Sequence, residues 1–487
     1  MTHPPYELAA ELDAKLGDPA DPDQLFSSER FRRLERRDEF PAELCDVLDQ
    51  HGLTAYYVPD QHGGRLRSHE ELFQLLRTVA RRDITVAVAH GTAYIQAVPT
   101  WIAAAPERAA QLGVDLLAGR RNTPEAGAST KLHGLRGVDG GHLAARSTRA
   151  TGLRDGGAQL AMRSRLLTWV LDAAVSLGAV DHGLRLTLDR VFGATLHGLR
   201  LVDLPQIRRA VTEAYADLLA SEAVALVATR SIQTAPDELA VVAPAASAYL
   251  RERSSELLEL ATELSDEEDL AKLLHDHQIV GAVCDSPLLA LRCLAGQRAL
   301  LTRSYGSPAD TLTRPKPPAG ALSAVLPPLR AEYLQLVSRS GCSLVNSLPG
   351  AVSELESLAR AGVVSDQLAG SSAVLRDVAA DLHDRWGDEP ASLDFARRYA
   401  LCFAAAACLQ IWLRNYEDHE DELWTGGVWL EACLVRLLGQ LRTAPVGRSE
   451  TVQIAYGRLM QVMARQWRTD HHLSLFPWPL PGRPEPS

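Results

Sequence analysis

The segment KLLHDHQIVGAVCDSP (272–287) gathers two histidines, two aspartates and a cysteine around a short apolar run. An imidazole titrates near neutrality, so a histidine beside a carboxylate can take up a proton and return it. His277 and Asp285 form a candidate pair for non-redox proton transfer on that ground. His275 and His277 are two apart, which puts them on different faces of a helix but on one face of a strand. Neither has a Cys or Glu at metal-ligand spacing, so no metal is expected there. Cys284 lacks an activating cation in the sequence and reads as a buried thiol. Asp285-Ser286-Pro287 is also a helix start, with an aspartate cap and a proline in the first turn.

Other clusters carry less. NYEDHEDELW (415–424) has one histidine among five carboxylates and reads as a solvated acidic loop. His471-His472 precede a Pro-rich tail expected to lie extended on the surface or disordered. The seven cysteines show no CxxC spacing and indicate neither a zinc site nor a disulfide framework. A net charge of −11 argues against nucleic acid as the main partner. No run approaches the roughly 18 apolar residues of a membrane span, and the N-terminus lacks a signal-peptide pattern, so a cytoplasmic location is expected.

The elements that must position these residues are mainly helical. Helical periodicity runs through 68–83, 204–233 and 392–415, and the stripe Phe403, Ala407, Ile411 reads as core. Residues 125–164 differ, with recurring glycine and no persistent apolar face, and read as turns joining short strands. SYGSPADTLTRPKPPAGA (304–321) has the Pro/Gly composition of a linker.

HGLTAYYVPDQHGGRLRSHEELFQLLRTVARRD (51–83) resembles the N-terminal helical domain of the acyl-CoA dehydrogenase family, through Gly52-Leu53, Val58-Pro59, Gly63-Gly64 and Arg82-Asp83. Residues 177–222 are similar to the start of that family's C-terminal four-helix domain, with Phe192-Gly193 before its second helix. The resemblance implies a mainly α fold of acyl-CoA dehydrogenase-like helical domains with a vestigial β segment. Its expected units are an N-terminal helical domain (1–121), a reduced middle β segment (122–165), a four-helix domain (166–303), a linker (304–321) and an additional helical domain (322–487).

In that family a carboxylate removes the α-proton of an acyl thioester while hydride passes to the flavin, so base, thioester and FAD must be held together. The chain departs from this pattern wherever flavin is served. Only about twenty residues stand in for most of the middle sheet, too few for a closed barrel, and Thr123–Ser129 matches the family's loop there only with its order changed. Asp189 stands where the family has a pyrophosphate-binding arginine, with Arg190 one position later. LATELSDEEDLAK (260–272) replaces a glycine turn with five carboxylates, which would repel a dinucleotide. Asp285 falls in the place of the catalytic glutamate, on a stem shorter by one methylene, with Ser286 and Pro287 after it.

The expected function is an acyl-CoA dehydrogenase-like protein acting on an acyl-thioester or polyketide-like substrate in bacterial specialised metabolism, without flavin and without redox chemistry: proton transfer, cyclisation or dehydration. Asp285 and His277 are the expected catalytic groups, and Ser286 and Tyr94 the substrate contacts. Two alternatives stand beside it. One is an FAD-dependent α,β-dehydrogenase, with Arg190, Phe192 and Gly193 on the cofactor; the other is a noncatalytic partner of an intact homologue. The expected partners are the small molecule, an acyl carrier protein and further copies of this chain or a homologue, with neither nucleic acid nor membrane.

Overall fold

A computed structural model describes residues 4–37, 39–119, 157–283, 287–306, 322, 326–385, 392–441 and 449–482. Six helices form the N-terminal part: α1 (Pro4–Leu16), α2 (Ser28–Arg37), α3 (Ala42–Gln50), α4 (His69–Ala80), α5 (Ile84–Ala103) and α6 (Pro106–Leu117). Local chemistry sets their ends. The Ser68 hydroxyl accepts from the Glu70 and Glu71 amides to start α4, and Asp83 accepts from the Val86 amide to start α5. All of α4 except Glu71 is buried, because α1, α5 and the two long helices that come next in the chain surround it.

Those long helices are α7 (Gly157–Gly193), of 37 residues, and α8 (Pro205–Thr234), of 30, which opens with proline in its first turn. Between them lies a hairpin, β1 (Thr195–Leu196) with β2 (Leu199–Arg200), the one sheet among the described residues. His197 and Gly198 both take positive φ (51° and 83°) at its turn, the backbone twist that a two-residue hairpin favours. Helices α9 (Leu239–Leu264), α10 (Glu268–Val283), α11 (Pro287–Gly296) and α12 (Arg298–Gly306) complete this region. α7 packs on α4, α5, α8, α9 and α10.

The C-terminal part holds α13 (Ser343–Asn346), α14 (Leu348–Arg360), α15 (Asp366–Arg385), α16 (Leu393–Asn415), α17 (Val428–Leu441) and α18 (Ser449–Arg468). Ser392 caps α16, whose Phe403, Ala407 and Ile411 are fully buried, as their spacing predicts. α16 packs on α8, α9 and α11, and α17 and α18 pack on α8. One cluster of buried side chains therefore runs from Tyr6 to Trp478. Each fully buried Leu, Ile or Phe in it contributes about 1.5–3 kcal/mol. Among the described residues no helix is long and apolar enough to cross a membrane.

Two expectations are corrected. Residues 157–165 are the first turns of α7 rather than the end of a β segment; the rest of that segment, from residue 120 to 156, and the linker from 307 to 321 lie outside the described residues. The tail after α18 is not a surface strand. His472, Leu473, Ser474, Leu475 and Trp478 are buried, because the tail is tied into a polar network inside the fold.

Candidate functional site

His277 lies on α10 and is 4% exposed, whereas the His275 side chain two residues earlier is 60% exposed. That opposition is what a helix does to residues two apart. His277 Nε2 shares a hydrogen bond with Ser176 Oγ of α7 at 3.0 Å, and its Nδ1 has no hydrogen-bond partner among the described residues. Burial, with the Arg251 guanidinium nearby, lowers its pKa to about 4. The ring is thus a neutral imidazole at pH 7, able to accept a proton but poorly able to keep it. Asp285 and Ser286, and Cys284 with them, lie outside the described residues between α10 and α11. Ser176 is a contact that sequence reasoning missed, since nothing in α7 marks one serine within a long apolar helix.

Tyr94 of α5 is 2% exposed and its hydroxyl bonds to His69 Nε2 at 3.0 Å. Burial raises the Tyr94 hydroxyl and lowers His69 to about 4, so both are neutral. Beside it runs a second chain: Asp49 Oδ1 to His90 Nε2 at 3.1 Å, and His90 Nδ1 to the Tyr57 hydroxyl at 2.7 Å. α5 and α10 touch, but Tyr94 and His277 have separate polar partners.

Of the residues at the flavin positions of the resemblance, Asp189 and Phe192 are engaged within the chain. Asp189 Oδ1 accepts from Trp467 Nε1 at 2.7 Å, and the Phe192 ring stacks on Trp467 with centroids 4.4 Å apart and planes 16° apart. Arg190 and Gly193 are exposed. In the acidic stretch, Asp269 and Glu268 pair with Arg32 and Arg36 of α2 at 2.8 and 3.5 Å. A carboxylate and a stacked indole of α18 stand where the diphosphate contact would be, and these surroundings do not fit it.

Sequence reasoning also missed a buried ionic seam. Arg77 of α4 donates through Nε and Nη2 to both oxygens of Asp181 at 2.7 and 2.8 Å, and through Nη1 to Glu222 at 2.7 Å. All three side chains are at most 2% exposed. Glu222 accepts further from the Tyr6 hydroxyl, the Ser474 hydroxyl and the Leu475 amide, at 2.9, 2.7 and 2.6 Å. His472 Nε2 lies 3.3 Å from Asp181, and Trp478 Nε1 donates to Asp13. These contacts fix the tail against α1, α7 and α8. Although burial opposes it, the Arg77 charge, with His472, holds Asp181 well below the usual carboxylate range. Removing one member of such a set leaves a buried charge alone, at a cost of about 3–5 kcal/mol.

No family model matches the chain, and no curated protein does. Among solved structures it is similar to an acyl-CoA dehydrogenase complexed with FAD from Bacillus anthracis, covering 96% of this chain and 95% of that one, at 10% identity and a TM-score of 0.59. Butyryl-CoA dehydrogenase from Megasphaera elsdenii matches 60% of this chain and 96% of its own, at 14% identity and a TM-score of 0.45. The electron transferring flavoprotein of Acidaminococcus fermentans matches 61% and 97%, at 11% identity and a TM-score of 0.47. The first of these shows an acyl-CoA dehydrogenase-like fold.

Proposed function

We propose that this chain binds an acyl-thioester or polyketide-like substrate and catalyses proton transfer on it, leading to exchange, cyclisation or dehydration, without FAD held in the manner of acyl-CoA dehydrogenases. The observation that carries this reading is the engagement of Asp189 and Phe192 by Trp467. His277 is the proposed proton acceptor, in keeping with its neutral ring and with an Nδ1 that has no hydrogen-bond partner among the described residues; Asp285 is its proposed partner and Ser286 and Tyr94 the proposed substrate contacts. The units 1–121, 122–165, 166–303 and 322–487 joined by the linker 304–321, presentation of the substrate by a carrier protein, assembly into oligomers and a cytoplasmic location belong to the same proposal. A second reading, FAD-dependent dehydrogenation with Arg190, Phe192 and Gly193 on the cofactor, draws on the likeness to the FAD-bound Bacillus anthracis structure over nearly the whole chain.

The two readings differ in mass balance. Incubation with a panel of acyl-CoA thioesters in D2O is expected to place deuterium at the α-carbon with no loss of hydrogen. A His277→Gln variant should slow that exchange about a hundredfold or more, the usual contribution of a general base. A product lighter by two hydrogens would instead support dehydrogenation, and exchange indifferent to His277→Gln would remove this residue from the reaction.

A further inference from the structure

A cavity of about 480 Å³ opens between α1, the loop that joins α16 to α17, and the tail. Sites for small molecules start at about 300 Å³. Neither His277 nor Tyr94 lines this one, so a ligand bound there is independent of the proposed proton transfer.

Its walls are tied together by polar contacts. The Tyr6 hydroxyl of α1 donates to Glu222 at 2.9 Å, Trp478 Nε1 of the tail to Asp13 of α1 at 3.4 Å, and Trp424 Nε1, at the end of the loop, to the Leu475 carbonyl oxygen at 3.0 Å. His419 of the loop stacks on Trp424 with centroids 4.5 Å apart and planes 20° apart. The cavity is therefore preformed, and its tail wall is apolar through Phe476, Pro477 and Trp478.

Its charge is one-sided. Glu7 of α1 and Asp418, Glu420 and Asp421 of the loop line it and are exposed, whereas among the described residues no lysine or arginine does so. Asp421 Oδ1 accepts from the Leu423 and Trp424 amides at 2.9 and 3.3 Å, which leaves its charge in place. Arg465, the cation paired with Glu422 of the same loop, is outside the lining. Burial lowers the pKa of His419; Asp421 opposes it, and the chain's N-terminal ammonium adds to it, so the ring is neutral at pH 7. That ammonium offsets at most one of the four carboxylates. Among the described residues no three His, Cys, Asp or Glu side chains converge as metal ligands. The carboxylates are thus too widely spread to close on one metal ion, and a cation that answers them has to be extended.

We propose that this cavity is a binding site for an aliphatic polyamine. Ammonium groups spaced along a methylene chain pair with carboxylates presented by two separate elements, while the methylenes lie on the apolar tail wall, as the stems of long basic side chains do on apolar surface.

Calorimetric titration of the full chain with spermidine, against butylamine and magnesium chloride at equal ionic strength, tests this. Saturable one-to-one binding of spermidine is expected, about tenfold or more tighter than that of butylamine because its charges engage together. The double variant Glu7→Gln/Glu420→Gln, both changes lying on the surface, should weaken it about tenfold through the loss of two ion pairs. Glu107→Gln, which removes an exposed carboxylate of α6 away from the cavity, should leave it unchanged. Spermidine bound no more tightly than butylamine or magnesium, or weakened as much by Glu107→Gln as by the double variant, would overturn the assignment. Binding of an octalysine peptide without binding of spermidine would do the same, and would give the cavity to a basic protein segment.

Discussion

Glu238 stands at the start of α9, 7% exposed, and its Oε2 accepts from the Ser343 amide at 2.8 Å and the Ser343 hydroxyl at 2.9 Å. Burial outweighs these two hydrogen bonds and raises its pKa to about 7. A carboxyl group whose folded pKa exceeds the unfolded value, about 4.3, binds its proton more tightly in the fold. Its contribution to stability therefore declines as pH rises from the unfolded value to the folded one, and is constant above. Glu238→Gln keeps an oxygen for Ser343 and cannot ionise, so it should be more stable than the parent at pH 8, by about 3–4 kcal/mol, and equal to it near pH 4. Thermal melts at the two pH values check this, and equal midpoints at pH 8 would refute it. At this scale the sequence was partly legible. It singled out His277 by type, but not Ser176, 101 residues away, nor the Ser343 that meets Glu238 from 105 residues away. Buried polar partners come from distant segments, and nothing around Asp181 or Glu222 in the sequence marks Arg77 as their common partner.

Helices α4 and α7 cross at Gly178, where an added Cβ would stand 2.4 Å from the Arg77 carbonyl oxygen and 2.7 Å from the Ala80 Cβ. The backbone of α4 cannot yield without moving Arg77 off Asp181 and Glu222. Gly178→Ala is therefore expected to destabilise the fold by about 2 kcal/mol despite its gain in helix propensity. Gly193→Ala, at the exposed end of α7 with nothing among the described residues within 4 Å of the new Cβ, should be neutral. Urea titration of both variants separates the outcomes, and a stable Gly178→Ala would mean the crossing is looser than it stands here. Most elements were legible because their ends carry their own signals: Ser68 and Ser392 as caps, Pro205 in a first turn. The start of α7 was not. It comes after a glycine run and its first turns are largely exposed or half-buried, so no apolar stripe announces it. The tail misled through its prolines. It turns back on itself through an antiparallel bridge between His471 and Pro479, and His472, Ser474 and Trp478 carry the donors that Asp181, Glu222 and Asp13 accept.

At the scale of the whole molecule, the helical architecture was legible in the motifs around Gly52-Leu53 and Phe192-Gly193, and the likeness in fold to an acyl-CoA dehydrogenase extends over both helical parts. The Asp189 substitution was legible too; its partner was not, because Trp467 arrives from 278 residues away on α18. Fold and site meet in that arrangement: α18 sets Trp467 against the position at which the resemblance puts a cofactor contact, and the ionic seam fixes the tail that follows it to α1, α7 and α8. The most direct measurement is the visible absorption spectrum of the purified protein before and after addition of FAD, with unbound flavin removed by gel filtration. A colourless protein that retains none is expected, and a protein that keeps stoichiometric flavin through the column would contradict the proposed flavin-free chemistry.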